Sequence, residues 1–289
     1  MKILFAAAGF LAISAATAFS ADLPVKTYTK APVPIAYASW TGFYVGVNAG
    51  YSTQSNHVSL DGDPGTVVFL NDPTRTFGPF PFDTTTSGFL GGGQIGANYQ
   101  VSPLWVLGIE ADIQGGNVRA RYSNISAVPV IDSGRPPPAT FTTDNEYEKK
   151  LIYLGTVRGR VGWLVAPNLL LYATGGLAYG QVDTSAATNI FVTNSRFRDR
   201  SSINTGTNSE TRVGWTAGLG GEWRFAGNWS VKGEYLYYDL GTTNVNAYFQ
   251  GPLFGNPPIY TTFSSRMDGH IARVGLNYSF YSPAVVAKY

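Results

Sequence analysis

Eight stretches of the chain alternate between apolar and polar residues at every second position. In the first, Phe43 and Val45 fall on one face and Asn48 falls on the other. An amphipathic helix would instead repeat its apolar residues at spacings of three and four. The sequence therefore predicts an all-β chain whose eight strands are Thr41–Ser52, Ser87–Val101, Trp105–Tyr122, Lys150–Ala166, Leu169–Thr184, Thr211–Phe225, Trp229–Gly241 and Ser265–Phe280.

The connections between these stretches alternate in length. Short turns lie at 102–104, 167–168 and 226–228, and long polar segments occupy 53–86, 123–148, 185–209 and 245–264. Long structureless connections count against a compact soluble domain. In outer-membrane barrels, short turns face the periplasm and long loops face the exterior. We therefore predict an eight-stranded antiparallel up-and-down transmembrane β-barrel over 40–280. It would have four long extracellular loops, and an even strand number would leave both termini in the periplasm.

The polar face of the strands favours a barrel in lipid over a soluble sandwich. Glycine, asparagine and glutamine dominate it, and its few charges have both signs: Glu110, Asp112, Arg158, Arg160, Glu222, Arg224, Lys232, Glu234 and Arg273. Eight strands enclose a lumen that side chains just fill. Unpaired charges there would be costly, so these residues are predicted to form a paired network that fills the barrel. The alternative for them is a selective ion path.

Tryptophan positions give a second argument for a membrane. Five of the six tryptophans lie close to a predicted periplasmic strand end, and the exception is Trp215. Amphipathic aromatic rings concentrate at bilayer interfaces. An interface girdle is therefore predicted from Trp40, Trp105, Trp163, Trp223 and Trp229.

Composition excludes several classes of function. The chain has no cysteine, which rules out disulfides, thiolate zinc sites and thiol catalysis. Its net charge of +2 implies no nucleic-acid partner. Its 34 glycines, 18 tyrosines and 17 phenylalanines suit closely packed, curved sheet.

The two ends of the chain are predicted to lie outside the barrel. Lys2, an apolar stretch to Phe19 and small residues at 18 and 20 are typical of a secretory signal cleaved before Ala21. An N-terminal anchor helix is the alternative. The proline-containing segment 21–39 is predicted to be an extended periplasmic linker, and 281–289 is predicted to be a C-terminal tail.

Six segments in order along the chain carry a resemblance to a known family: 40–46, 93–99, 108–112, 155–162, 171–180 and 234–241. Over roughly 40–280 the chain resembles the alphaproteobacterial outer-membrane immunogenic proteins, also described as porin-like, opacity-type surface antigens. The resemblance implies an abundant, often immunogenic surface barrel with weak pore activity and no catalytic residue. It also implies a final aromatic residue that the barrel assembly machinery reads. Phe280 fits this role, although nine residues follow it and Tyr289 is the alternative.

Three motifs suggest other chemistry and are interpreted structurally. The segment Gly91–Gly96 matches a dinucleotide-binding fingerprint, but strand alternation runs through it where a helix should begin. His57 and Ser59 are the residue types of a membrane lipid hydrolase, but they lie in a predicted loop without an evident acidic partner. His270 is predicted to be a rim residue. We therefore expect no catalytic residue, no metal and no cofactor.

The predicted function is that of a structural and antigenic surface protein of the Gram-negative outer membrane. A narrow porin-like channel for small solutes is the first alternative, and a lipid-modifying membrane enzyme is the second. The expected partners are outer-membrane lipid, lipopolysaccharide and the barrel assembly machinery. Peptidoglycan is a further candidate partner, through residues 21–39.

Overall fold

Eight antiparallel strands pair in chain order, and the last strand pairs with the first to close a barrel. The computed structural model describes residues 39–62, 82–130, 139–194, 197–249 and 259–281. Within these ranges no helix could span a membrane. The strands are β1 (Gly42–Gly62), β2 (Phe82–Gln100), β3 (Trp105–Val130), β4 (Ala139–Ala166), β5 (Leu169–Asn194), β6 (Phe197–Ala226), β7 (Trp229–Phe249) and β8 (Ile259–Tyr281). The predicted fold class is confirmed. The predicted signal, nearly all of the linker and the tail after Tyr281 lie outside the described residues, and Tyr281 itself is the last residue of β8.

The three short turns lie where the sequence placed them, at one end of the barrel. Two residues, Pro167 and Asn168, connect β4 to β5, and Gly227 and Asn228 connect β6 to β7. Gly227 has a φ of 49°, a left-handed conformation that glycine adopts at little cost. We call this the turn end of the barrel and the opposite side the hairpin end.

At the hairpin end the strands continue far beyond the predicted boundaries. Strand lengths range from 19 residues in β2 to 30 residues in β6, whereas about 9–11 tilted residues suffice to cross a bilayer. The predicted loops 123–148 and 185–209 are therefore mostly strand, and 53–86 and 245–264 are strand in part. Their polar composition indicated loops. However, a strand surrounded by water needs apolar residues on its inner face alone, and Tyr147, Ala186 and Val245 supply them here.

The outer surface changes character along each strand. On β6, Val213, Leu219 and Trp223 point outward and are 69%, 64% and 49% exposed, whereas Thr205, Thr207 and Ser209 are outward residues nearer the hairpin end. Isolated exposed apolar residues remain at that end, namely Ile125, Phe191 and Ile203. An apolar belt therefore surrounds the turn-end half of the barrel, as hydrocarbon requires of a closed sheet. Arg158 and Glu234 lie inside, as alternation predicted.

Candidate functional site

The interior beside the apolar belt holds a compact cluster of charged side chains. The structure brings together eight of the nine predicted lumen residues, namely Glu110, Asp112, Arg158, Arg160, Glu222, Lys232, Glu234 and Arg273, and buries all of them. Four carboxylates face four cations, so the cluster is neutral. We call these eight residues the lumen network.

Arg158 on β4 is the hub of the lumen network. Its guanidinium donates to Glu234 Oε1 at 3.0 Å, to Asp112 Oδ2 at 2.9 Å and to Glu110. From the opposite side, Lys232 Nζ donates to both Glu110 oxygens at 2.7 and 2.8 Å. Arg273 joins Asp112 at 3.0 Å and also contacts Glu234. Glu110, Asp112 and Glu234 are thus each held by cations from at least two strands, whereas Glu222 is held by Arg160 at 2.9 Å.

Neutral side chains complete the hydrogen bonding of the carboxylates. Tyr44 donates to Glu110 at 2.6 Å and Tyr172 donates to Glu234 at 3.1 Å. Ser230 and Asn277 both donate to Glu222, at 2.6 and 3.0 Å. The sequence pattern placed the two tyrosines and Asn277 on the polar face but assigned them no role. Their partners lie 55 to 66 positions away along the chain, so alternation alone could not identify them.

Arg224, the ninth predicted lumen residue, lies apart from the network at the turn end. Its guanidinium stacks 3.7 Å above the ring of Trp40 and donates to the backbone oxygen of Ser39. The Trp40 indole donates to the Pro167 carbonyl at 3.2 Å, and its ring packs with Leu164 and Leu170. The turn end of the lumen is closed by this arrangement.

Trp40 is therefore not part of an outward girdle, because it is only 2% exposed. It precedes β1, so the strand alternation that orients the other tryptophans does not apply to it. A cation–π contact and an apolar pocket inside the barrel hold the ring instead. This is a correction to the sequence prediction.

The other four predicted girdle residues point outward at the turn end. Trp105, Trp163, Trp223 and Trp229 are 43–50% exposed. Phe280, the candidate assembly signal, also points outward among them and contacts Tyr278 edge to face at 5.2 Å. Its recognition by assembly machinery stays a prediction.

A second aromatic ring, which the sequence analysis missed, marks the other edge of the apolar belt. Its members form cross-strand pairs, with ring centroids 5.1 Å apart for Tyr51 and Phe89 and 5.3 Å apart for Trp215 and Tyr237. Trp215, the one tryptophan outside the predicted girdle, therefore belongs to this second ring. Tyrosine and phenylalanine residues near the hairpin-end boundaries of the predicted strands were the sequence signal that could have identified the ring. We call this set the upper aromatic ring.

Between the lumen network and the hairpin end, two apolar clusters fill the interior. The nearer one includes Leu151, Leu154, Leu236 and Met267, and the farther one stacks Phe82 on Tyr122 at 3.8 Å. Buried hydroxyls and amides lie around Lys149, which is fully buried. Its ammonium donates to Ser265 Oγ at 3.1 Å and to the Arg266 carbonyl at 2.7 Å. Burial lowers the pKa of Lys149 to about 8, against the attraction of the Asp268 carboxylate.

The three motifs with alternative chemistry are all placed on the barrel wall. Gly91–Gly96 lies within β2, where no helix follows it. His57 does have an acidic partner, because its Nδ1 lies 2.7 Å from Asp83, but the Ser59 hydroxyl donates to the Ser264 carbonyl instead. His270 contacts the Tyr235 hydroxyl at 2.6 Å on the outer surface. Within the described ranges, no three acidic or histidine side chains are arranged to hold a metal.

Comparison with known proteins finds relatives over almost the whole chain. A family model described as the outer membrane protein beta-barrel domain matches residues 3–280. The 31 kDa outer-membrane immunogenic protein of Brucella melitensis is 34% identical over 280 residues, which cover 94% of this chain and 98% of the relative. A 22 kDa outer membrane protein of Rhizobium leguminosarum is 31% identical over 73% of this chain and 68% of its own length. Among solved structures, OprG of Pseudomonas aeruginosa matches 85% of this chain and 99% of its own, with 12% identity and a TM-score of 0.40.

Proposed function

The chain belongs to the outer membrane β-barrel family and is an outer-membrane protein, and from this premise we propose that it is a closed-lumen surface barrel. In this role it stabilises the outer membrane and presents its hairpins to the exterior. Its relatives are named as immunogenic outer-membrane proteins and not as enzymes.

The filled interior supports this proposal most directly. Four successive layers occupy the lumen: Trp40 with its neighbours, the lumen network, and the two apolar clusters. Side chains such as Val106, Leu151, Leu154 and Ile271 are no more than 1% exposed. A hydrated solute has no space between such side chains unless they move.

The proposed orientation follows from the asymmetry of the barrel. The long hairpins carry mostly polar outer surfaces and extend far past the apolar belt, whereas the turns are two to four residues long. In this class of protein short turns lie in the periplasm and long connections lie outside. We therefore place the hairpin end outside the cell and both termini in the periplasm. We propose that the barrel assembly machinery is a partner and that it recognises Phe280. We also propose that residues 21–39 contact peptidoglycan. Deleting residues 21–39 should then abolish co-sedimentation with the cell wall.

Conductance tests the closed lumen against a narrow channel. Purified protein reconstituted in a planar bilayer should give no steady conductance steps above the empty bilayer. As a positive control, a variant with Leu151, Leu154 and Leu236 all changed to Ala removes side chains from one apolar cluster and should conduct more than the parent. Steady steps from the unmodified protein would overturn the closed-lumen proposal in favour of the channel.

The proposal also includes the absence of catalysis. The pair His57 and Asp83 lies exposed on the outer wall, with side chains 64% and 86% exposed, and Ser59 is bonded elsewhere. The variant His57→Ala should leave the lipid composition of the outer membrane unchanged. A lipid modification that disappears in this variant would establish the enzyme alternative.

A further inference from the structure

Two cations stand directly opposite each other on the outer surface of the barrel. Arg119 on β3 pairs in register with Lys150 on β4. Two positions farther along β3, Arg121 faces Glu148, and these two opposite charges form an ion pair of 3.3 Å. Like charges directly across a strand pair destabilise a sheet. The Arg119 and Lys150 pair is therefore unfavourable unless an anion lies between the two side chains.

Within the described part of the chain, no carboxylate supplies that anion. Arg119 Nε donates to the amide oxygen of Asn117, and neither cation has a carboxylate within ion-pair distance. Asp183 pairs with Lys150 in register on the other side, but its carboxylate accepts from Ser209 at 2.6 Å and from Gln181 at 3.2 Å. Both of these donors are neutral, so two cations and one flanking carboxylate lie side by side here, a net charge of +1 that an external anion can offset.

The height of the pair on the barrel identifies the kind of ligand. On β4, Tyr153 lies three residues after Lys150, toward the turn end, and its ring contacts that of Tyr179 edge to face at 6.4 Å, as in the cross-strand pairs of the upper aromatic ring. Aromatic rings of this kind mark the bilayer interface, so Arg119 and Lys150 lie at the level of the lipid headgroups. The outward residues in register with the pair are Ser87 and Thr53 on one side and Asp183 and Ser209 on the other. On β8, Arg266 is another outward cation, four residues from the position that pairs with Tyr237 of the upper aromatic ring, and its charge is paired with Asp239.

We propose that Arg119 and Lys150 bind a phosphate group of an outer-leaflet glycolipid. The planar fork of arginine and the compact ammonium of lysine are both suited to phosphate oxygens. Ser87 pairs with Arg119 in register on β2 and adds a hydroxyl beside the site. The choice of the outer leaflet rests on the orientation given under the proposed function, whereas phosphate recognition itself rests on the charge arrangement alone.

The test measures lipid A retention by native mass spectrometry of protein in detergent micelles. The double variant Arg119→Gln/Lys150→Gln should bind bisphosphorylated lipid A about tenfold or more weakly than the parent, since 1.4 kcal/mol corresponds to tenfold. Arg266→Gln is the matched control, because it removes an outward charge that already has a partner, and it should bind like the parent. Chemically dephosphorylated lipid A should bind to the parent and the double variant equally.

Several outcomes would overturn the proposal. The first is equal retention of bisphosphorylated lipid A by the double variant and the parent. The second is a loss of lipid A retention in Arg266→Gln as large as that in the double variant. The third is complete displacement of lipid A by millimolar inorganic phosphate. Each preparation is first shown to be a folded barrel by its shift on a detergent gel after boiling. The outcome is separable from that of the conductance test, because an open barrel could retain lipid A and a closed barrel could fail to retain it.

Discussion

Two neighbouring glycines on β2 show how closely the strand backbones approach inside this barrel. A methyl group on Gly92, which faces the interior, would overlap the carbonyl oxygen of Ile113. A methyl group on Gly93, which faces outward, would meet nothing nearer than the Gly46 carbonyl oxygen at 3.8 Å. We predict that Gly92→Ala destabilises the barrel by about 1–3 kcal/mol, as overpacking does. Gly93→Ala should stay within about 0.5 kcal/mol of the parent. Urea unfolding of both variants in the same micelles measures the difference, and equal midpoints would contradict the prediction.

Lys149 should make stability depend on pH. Its pKa falls from 10.5 to about 8 on folding, so the unfolded chain binds the proton more tightly between these values. The stability of the parent must therefore rise as pH increases through this interval. Relative to Lys149→Met, the free energy of unfolding of the parent should rise by about 3 kcal/mol between pH 7 and pH 11.

The exposed neighbour of Lys149 provides the control for this pH experiment. Lys150 is next in sequence but faces outward, and Lys150→Met keeps the buried Lys149 ammonium, so this variant should keep the rise in stability between pH 7 and pH 11. A constant difference between Lys149→Met and the parent across the same pH range would show that burial does not penalise the Lys149 charge.

At the residue scale, alternation predicted orientation well wherever a residue lies within a strand. It placed Arg158, Glu234 and their partners inside the barrel because each occupies the polar face. It could not predict which cation meets which carboxylate, because the pairs join strands distant in sequence. The girdle prediction rested on proximity to a strand end and was wrong for Trp40, which lies before β1 and packs against Arg224 and an apolar pocket.

The strand extensions at the hairpin end are the main feature that the sequence did not predict at the element scale. Segments such as 185–209 are rich in threonine, serine and asparagine, a composition that indicates loops. Threonine also suits a strand that is surrounded by water. The inward positions carry small or apolar residues, among them Ala186, and these are too few in each segment to stand out. Long-range pairing, such as that of Ala187 with Thr205, extends the sheet.

The part of the β5–β6 hairpin that extends beyond Ala187 and Thr205 should be removable without loss of the barrel. Ala187 and Thr205 are directly paired, so replacing residues 188–204 with Asn-Gly closes the same two strands with a two-residue turn. We predict that the shortened protein still folds and still shifts on a detergent gel after boiling. Deleting Gly175 alone should abolish the shift, since a one-residue slip turns the apolar face of the strand toward the lumen. Survival of the Gly175 deletion would show that the belt does not fix the register.

At the scale of the whole molecule, the lumen network connects strands on opposite sides of the closed barrel. Arg158 bridges β3 and β7, and we predict that Arg158→Met lowers the free energy of unfolding by about 3–5 kcal/mol, since it leaves four buried carboxylates facing three cations. Arg266→Met breaks an ion pair whose arginine is 61% exposed and should have a smaller effect, below about 1 kcal/mol. The measurement is urea unfolding followed by the gel shift, and similar losses in both variants would contradict a central role for Arg158.

The neutrality of the lumen network also constrains how the barrel can assemble. Its four carboxylates and four cations come from β3, β4, β6, β7 and β8, and many partners are more than 40 residues apart. A partly inserted sheet would expose uncompensated charge to hydrocarbon on the side that later becomes the interior. Incomplete intermediates are therefore penalised until the final strands arrive, and insertion is favourable only as a nearly concerted event.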